Sequence, residues 1–282
     1  MATRYWTGLG TTGDWSSTGN WSASTVPISG DTVILSTDGE DLTTGLSQSG
    51  VTLAELRIGP QWTGKIGTSS TSLSISATKF DFASGADDTY IRGTFTTLNV
   101  QGGKNRSNML QLSDSVITTM RVIGGLGTIT LGTDGELTTL ECIGANNITI
   151  VMTAEGSSGN AGLANVTIDS GNISIGSNIS AVCEVFGGQL TMTDAATIAT
   201  LDIYDGAVCK YNSSGTITNL NMYGGTWTAS DNTSSSVTVT NATMYDGVIN
   251  ERNYVSSLVW TNGITIHSGE VVYEPGRSIT IT

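Results

Sequence analysis

From Leu56 to Trp260, apolar residues recur two positions apart in short runs that end near a glycine, and the runs return about every twenty residues. Eleven six-residue frames carry the pattern: 56–61, 80–85, 98–103, 120–125, 140–145, 166–171, 183–188, 201–206, 220–225, 242–247 and 258–263. Position one reads Leu56, Phe80, Leu98, Met120, Leu140, Val166, Cys183, Leu201, Leu220, Ala242 and Leu258. Position three reads Ile58, Phe82, Val100, Val122, Cys142, Ile168, Val185, Ile203, Met222, Met244 and Trp260, so all twenty-two residues are apolar. Position six is glycine in nine of the eleven frames. The residue three before position one is usually apolar as well, from Leu53 to Val255.

Apolar residues at i and i+2 with small polar partners between them give a strand one face of which is buried. Glycine reaches positive φ without steric cost, so a corner can follow each strand. Short second strands follow several corners, as in Ala207-Val208-Cys209, Thr226-Trp227-Thr228 and Ile264-Thr265-Ile266. Two or three strands and a corner in about twenty residues make one coil of a solenoid, whose inward row is buried against the next coil. The expected fold is all-β, a right-handed parallel β-helix of about eleven coils. A β-sandwich or jelly roll also has short strands between regular turns, but it would not keep this register for so long. The spacing between frames varies from 16 to 26 residues, and no calcium-binding nonapeptide run is present. Extra residues at 103–108 and 154–161 are expected to be surface loops.

The ends break the pattern. Residues 1–50 hold Trp6, Trp15 and Trp21, three of the six tryptophans, and read as a cap on the first coil or as a docking arm. The solenoid is expected over 51–266, with a C-terminal cap over 267–282.

Composition agrees with strands. The chain has 36 glycines, many Ser and Thr, and only three prolines, which disfavours helices and excludes proline-rich linkers. With 38% hydrophobic and 12% charged residues it has enough apolar material to fold. A net charge of −13 repels phosphate backbones and anionic lipids, so neither nucleic acid nor membrane is an expected partner. Lys104 with Arg106 is too small a cluster to change that. No apolar signal-peptide core follows Arg4, and synthesis in a cytoplasm is expected. Cys142, Cys183 and Cys209 are odd in number and lack zinc-type spacing, as expected of packing thiols. Asn-x-Ser/Thr triplets, such as that at Asn241, arise by chance in so Ser- and Thr-rich a chain.

Few residues offer chemistry. Asp205 and Asp246 share a frame position two coils apart, about 10 Å by strand spacing, at the edge of the separation used by inverting glycosidases. Glu184 and Asp202 share position two on adjacent coils. Asp before Gly is also ordinary turn chemistry, and position two faces solvent, so no catalytic residue is assigned. His267, the single histidine, excludes multi-histidine metal sites and reads as a surface side chain. Neither a metal nor a cofactor is expected. Tyr204, Tyr223 and Tyr245 share position four on consecutive coils with Phe186 before them. Such a ladder stabilises a solenoid, and it is also a candidate subunit-contact or glycan stripe.

The opening Trp6-Thr-Gly, Asp14-Trp15, Asn20-Trp21-Ser, Pro27 and Gly30-Asp31, followed by glycine-punctuated coils, resembles parallel β-helix proteins of tailed-phage virions and of some bacterial surface proteins. The resemblance implies a non-enzymatic virion protein, foremost a capsid decoration (cement) protein. Its partners would be the major capsid protein and itself, as a homotrimer, with Tyr5, Trp6, Trp15 and Trp21 as the docking or interface residues. A receptor-binding tail fibre or adhesin module that contacts surface glycans is the alternative, and a polysaccharide hydrolase or lyase ranks below it.

Overall fold

The computed structural model describes residues 1–10, 13–36, 39–83, 88–101, 110–112, 114–124, 127–131, 135–152, 163–193, 195–229, 237–251 and 258–273. Positions 103–108, 154–161 and 274–282, with Val255, Lys104 and Arg106, lie outside them. The chain is all-β and winds as a parallel β-solenoid. Among the described residues the only helical elements are two 3-10 turns, Thr18–Asn20 and Ser22–Ser24. The chain forms two compact units, Met1–Leu137 with Ile148–Asn160, and Thr138–Asn147 with Ala161–Thr282.

In unit 1 the main ladder runs in parallel register through Arg4, Val33, Leu56, Phe80, Leu98 and Met120. A second ladder registers Leu73 with Ile91, and Leu110 with Ile129 and Ile150. In unit 2 the main ladder runs through Leu140, Val166, Cys183, Leu201, Leu220, Ala242 and Ile264. Its second ladder runs through Ile173, Leu190, Cys209, Trp227, Ile249 and Val271. Positions one and three of the first ten frames are all buried, which is what the i, i+2 pattern demands of a strand with one wet face. Each such aliphatic side chain contributes about 1.5–3 kcal/mol by leaving water.

Glycine is required where two coils meet at a corner. Gly225 has φ +68°, and a Cβ there would lie 2.5 Å from the Ala207 carbonyl oxygen of the coil before. Positive φ and close approach together exclude a side chain.

The frames differ from expectation at both ends, and the coil count differs slightly from eleven. Leu258–Trp260 is not the next rung after Ala242, because it pairs with Val237–Val239 upstream of that residue. The rung after Ala242–Met244 is Ile264–Ile266, which therefore belongs to the main ladder and is not a second strand. Trp260 is accordingly half-buried and donates from Nε1 to Glu251 Oε1 at 2.8 Å, instead of filling the core. At the other end, Thr3–Tyr5 pairs in parallel with Thr32–Leu35, which pairs with Ser47–Ile58. The N-terminal residues thus supply rungs of the unit 1 ladder.

Asp31 secures that start. It is buried and accepts from the Ala2 amide at 2.7 Å, Arg4 Nε at 3.1 Å and the Ile28 amide at 3.4 Å. Burial pushes its carboxyl up, but the Ala2, Arg4 and Ile28 donors outweigh burial and hold it below the ordinary value.

Candidate functional site

The structure separates the two groups of aromatic residues singled out in the sequence. Trp6, Trp15 and Trp21 are 3%, 0% and 2% exposed, so their indoles offer no docking surface in this fold. They pack edge to face, with Trp6 and Trp21 centroids 5.1 Å apart and Trp15 and Trp21 4.7 Å apart. Trp62, which sequence reading did not single out, joins at 6.2 Å from Trp6. Trp21 Nε1 donates to the Trp15 carbonyl at 2.7 Å. An indole presents its large apolar area to whatever is nearest, and in unit 1 that is the core beneath the first rungs. Of the four N-terminal residues only Tyr5 is exposed, at 49%.

The position-four column behaves in the opposite way. Phe186, Tyr204, Tyr223 and Tyr245 point outward from successive rungs of unit 2, with centroid separations of 4.4, 5.0 and 5.1 Å and interplanar angles of 16°, 16° and 2°. His267 continues the stack, 5.0 Å from Tyr245 and tilted by 5°. These separations are those of the rungs themselves, because each ring grows from the strand above the last. Phe186, Tyr223 and Tyr245 are exposed, His267 is exposed, and Tyr204 is half-buried. The frame anchored on Leu258 hid the place of His267. Reading residues 264–269, Ile-Thr-Ile-His-Ser-Gly, as a frame puts apolar residues at positions one and three, His267 at four and Gly269 at six. The signal was present in the sequence, six residues further on.

Acids flank the column. Glu184 and Asp202 lie opposite each other on adjacent rungs at position two, on the same outward face. Asp202 accepts from Asn221 Nδ2 at 2.8 Å. Asp205 and Asp246, which directly follow Tyr204 and Tyr245, are exposed and line one open groove of about 350 Å³ walled by Gly206, Gly224, Gly225 and Gly247. Asp246 also accepts from the Gly247 amide at 2.8 Å, which is turn chemistry. A shift of register after Met222 sets Asp246 opposite Tyr223. None of these four acids forms an ion pair among the described residues. Partial burial first, and then Asp202 and Glu184, raise the Tyr204 phenol above its ordinary value; burial, then Asp202 and Tyr245, raise that of Tyr223. Asp202 and Glu184 thus border the ring column closely enough to act on its phenols.

A further polar column runs alongside. Asn262 Nδ2 donates to Asn241 Oδ1 at 2.6 Å and Asn241 Nδ2 to Asn219 Oδ1 at 3.0 Å, so the Asn241 amide is engaged with its neighbours. Cys142, Cys183 and Cys209 are buried and free. Burial pushes Cys142 and Cys209 up to about 12 and Cys183 well above its ordinary value, as befits packing thiols.

In chemical terms the column offers ring edges and phenolic oxygens at rung spacing. The faces of the inner rings are covered by one another. Compared with protein-family models, with curated proteins and with solved structures, the chain matches none.

Proposed function

We propose that this protein is a non-enzymatic structural protein of a phage virion, and most specifically a capsid decoration protein that binds the assembled head as a homotrimer. A parallel solenoid suits that task, because its ladders distribute load over many backbone hydrogen bonds, and an outward aromatic column gives it a surface with which to bind. The observation that carries the reading is the exposed stack from Phe186 to His267, built on a sheet of registered strands. Tyrosine-rich surfaces are enriched at protein interfaces. The docking face is accordingly placed on this column, since the indoles at Trp6, Trp15 and Trp21 are used up in packing.

The alternative is a receptor-binding fibre or adhesin module that contacts a surface glycan. Sugars stack on open ring faces, and in this column only the end rings have one, so the capsid reading is preferred. A hydrolase or lyase acting through Asp205 and Asp246 is a third reading; activity on polysaccharide that is lost in Asp205→Asn would favour it.

Immunogold labelling of whole virions, with heads and tails then separated, tests the assignment. Label on heads is expected. Label on tails would replace it with the adhesin reading, and label on neither would overturn both. Sedimentation at working concentration checks the trimer, and a monomer would remove that part.

A further inference from the structure

We infer that the aromatic column of unit 2 and the acids beside it form a docking strip for a positively charged, Arg- or Lys-bearing segment of a protein partner. This deepens the proposed binding role by naming the chemistry of the partner, and it rests on that role.

Three observations lead there. First, the strip is outward and continuous: five stacked rings at rung spacing span about 19 Å, from four steps of roughly 4.8 Å each. It joins apolar ring edges to phenolic oxygens that can accept hydrogen bonds from charged donors. Second, its charge is of one sign. Glu184 and Asp202 lie on one side and Asp205 and Asp246 on the other, and no described cation neutralises them. By sequence, unit 2 as a whole carries eleven acidic residues against three basic ones. Third, the equivalent face of unit 1 shows what the fold does when such acids are structural. There Glu55 and Asp81 are matched by Arg57 and Lys79 in a closed network of ion pairs. In unit 2 no described cation meets Glu184, Asp202, Asp205 or Asp246, and a partner would supply the counter-charge.

The same argument disfavours two other occupants. A second copy docked through this face would set acid against acid, and like charges held opposite one another repel. A neutral glycan could hydrogen-bond the carboxylates but would leave their charge uncompensated, and it would find the inner ring faces covered. Arginine suits the strip best, because its planar guanidinium bonds carboxylates in pairs and is weakly hydrated. The strip is short compared with a standard interface of about 800 Å² per partner, so each copy contributes a modest, salt-sensitive contact that multivalent display strengthens.

The test uses the full chain and a fluorescent hexa-arginine peptide, followed by anisotropy. Binding is expected at low salt and should weaken at least about tenfold between 50 and 300 mM salt, as Debye screening shortens the range of the field. Replacing Glu184, Asp202, Asp205 and Asp246 with their amides should weaken it about tenfold or more. A control with four unit 1 acids neutralised, at Glu40, Asp41, Asp88 and Asp114, has the same net charge and should keep most of the binding. Tyr245→Ala, which changes no charge, should weaken it severalfold, with a thermal melt that stays cooperative and falls only slightly showing that the fold is intact. Equal losses in the strip and control variants would mean that general acidity attracts the peptide, and would overturn the proposal. So would tyrosine-dependent binding of neutral oligosaccharides without binding of the peptide. The peptide reports on the strip alone, so its failure is distinct from a failure of the virion assignment, which labelling tests separately.

Discussion

The two units build the same kind of ladder and finish its outer face in different ways. In unit 1, Arg57 Nη2 lies 2.8 Å from Glu55, and Lys79 Nζ lies 3.0 Å from Glu55 and 2.6 Å from Asp81. Asn99 Nδ2 donates to the other Asp81 oxygen at 2.7 Å; burial pushes the Asp81 carboxyl up, but the Lys79 and Asn99 donors outweigh it and hold it below its ordinary value. In unit 2 the same face carries five stacked rings, and Glu184, Asp202, Asp205 and Asp246 beside them meet no counter-ion among the described residues. A parallel ladder repeats whatever the sequence places at an outward position, once per rung. It stabilises that column if like residues attract, as rings do, and is strained by it if they repel, as carboxylates do. Unit 1 interleaves opposite charges and is self-sufficient. Unit 2 repeats one kind of side chain, which makes a surface with something left to bind.

The aromatic residues make the contrast sharpest. Trp15→Ala removes a fully buried indole from the cluster in unit 1 and should cost about 3–5 kcal/mol, read as a lower midpoint in chemical denaturation. Tyr223→Ala, on an exposed ring of unit 2, should cost only about 0.5–1.5 kcal/mol, the worth of its stacking. Equal losses would erase the distinction between core and surface aromatics.

Gly225→Ala should destabilise unit 2 by about 1–3 kcal/mol, because it forces positive φ and a collision with Ala207 at once. Gly50 in unit 1, which lacks positive φ and where a Cβ would meet nothing within 4 Å, is the contrasting site and should tolerate alanine with little change.

Asp31→Asn should cost about 1–3 kcal/mol at pH 7, as a buried carboxylate with three donors is replaced by an amide. The folded carboxyl lies below its unfolded value of about 3.9, so the stabilisation it gives is complete above that pH. It is lost as the pH falls through the folded value. Denaturation at pH 7 and pH 3 should therefore show the gap between wild type and variant closing at the acid end; a gap that widens there would contradict the assigned role.

The smallest effects should differ in sign. Lys79→Met in unit 1 removes a half-buried, networked cation and should destabilise by about 0–1 kcal/mol. Glu184→Gln in unit 2 relieves a carboxylate facing Asp202 across the ladder and should stabilise by about 0.2–1 kcal/mol at low salt, with the gain vanishing at high salt. The same sign for both would remove the distinction between a balanced and an unbalanced face.

Much of this architecture was legible from residue order. Leu56, Phe80, Leu98 and Met120 line up in the structure as their frames do, because a period of two along the strand and a glycine at the corner leave one way to bury every other side chain. The column Phe186, Tyr204, Tyr223 and Tyr245 was legible for the same reason, since a fixed place in the frame becomes a fixed place on the surface. His267 was missed because Leu258-Val-Trp260 has the apolar spacing of a frame, yet pairs with Val237–Val239, upstream of position one of the ladder at Ala242. Arg4 was missed as a rung because it puts a charge at position one, and Val33 because its frame has no glycine at position four, five or six.

Local order in the chain thus determined the strands, their inward rows and the stacking of like residues, since all three follow from periodicity. Only the tertiary structure decided which tryptophans are hidden, which rung follows Ala242, and whether an acid meets a cation. Those outcomes depend on residues brought together from different coils, and a register shifted by one corner changes every neighbour a side chain has.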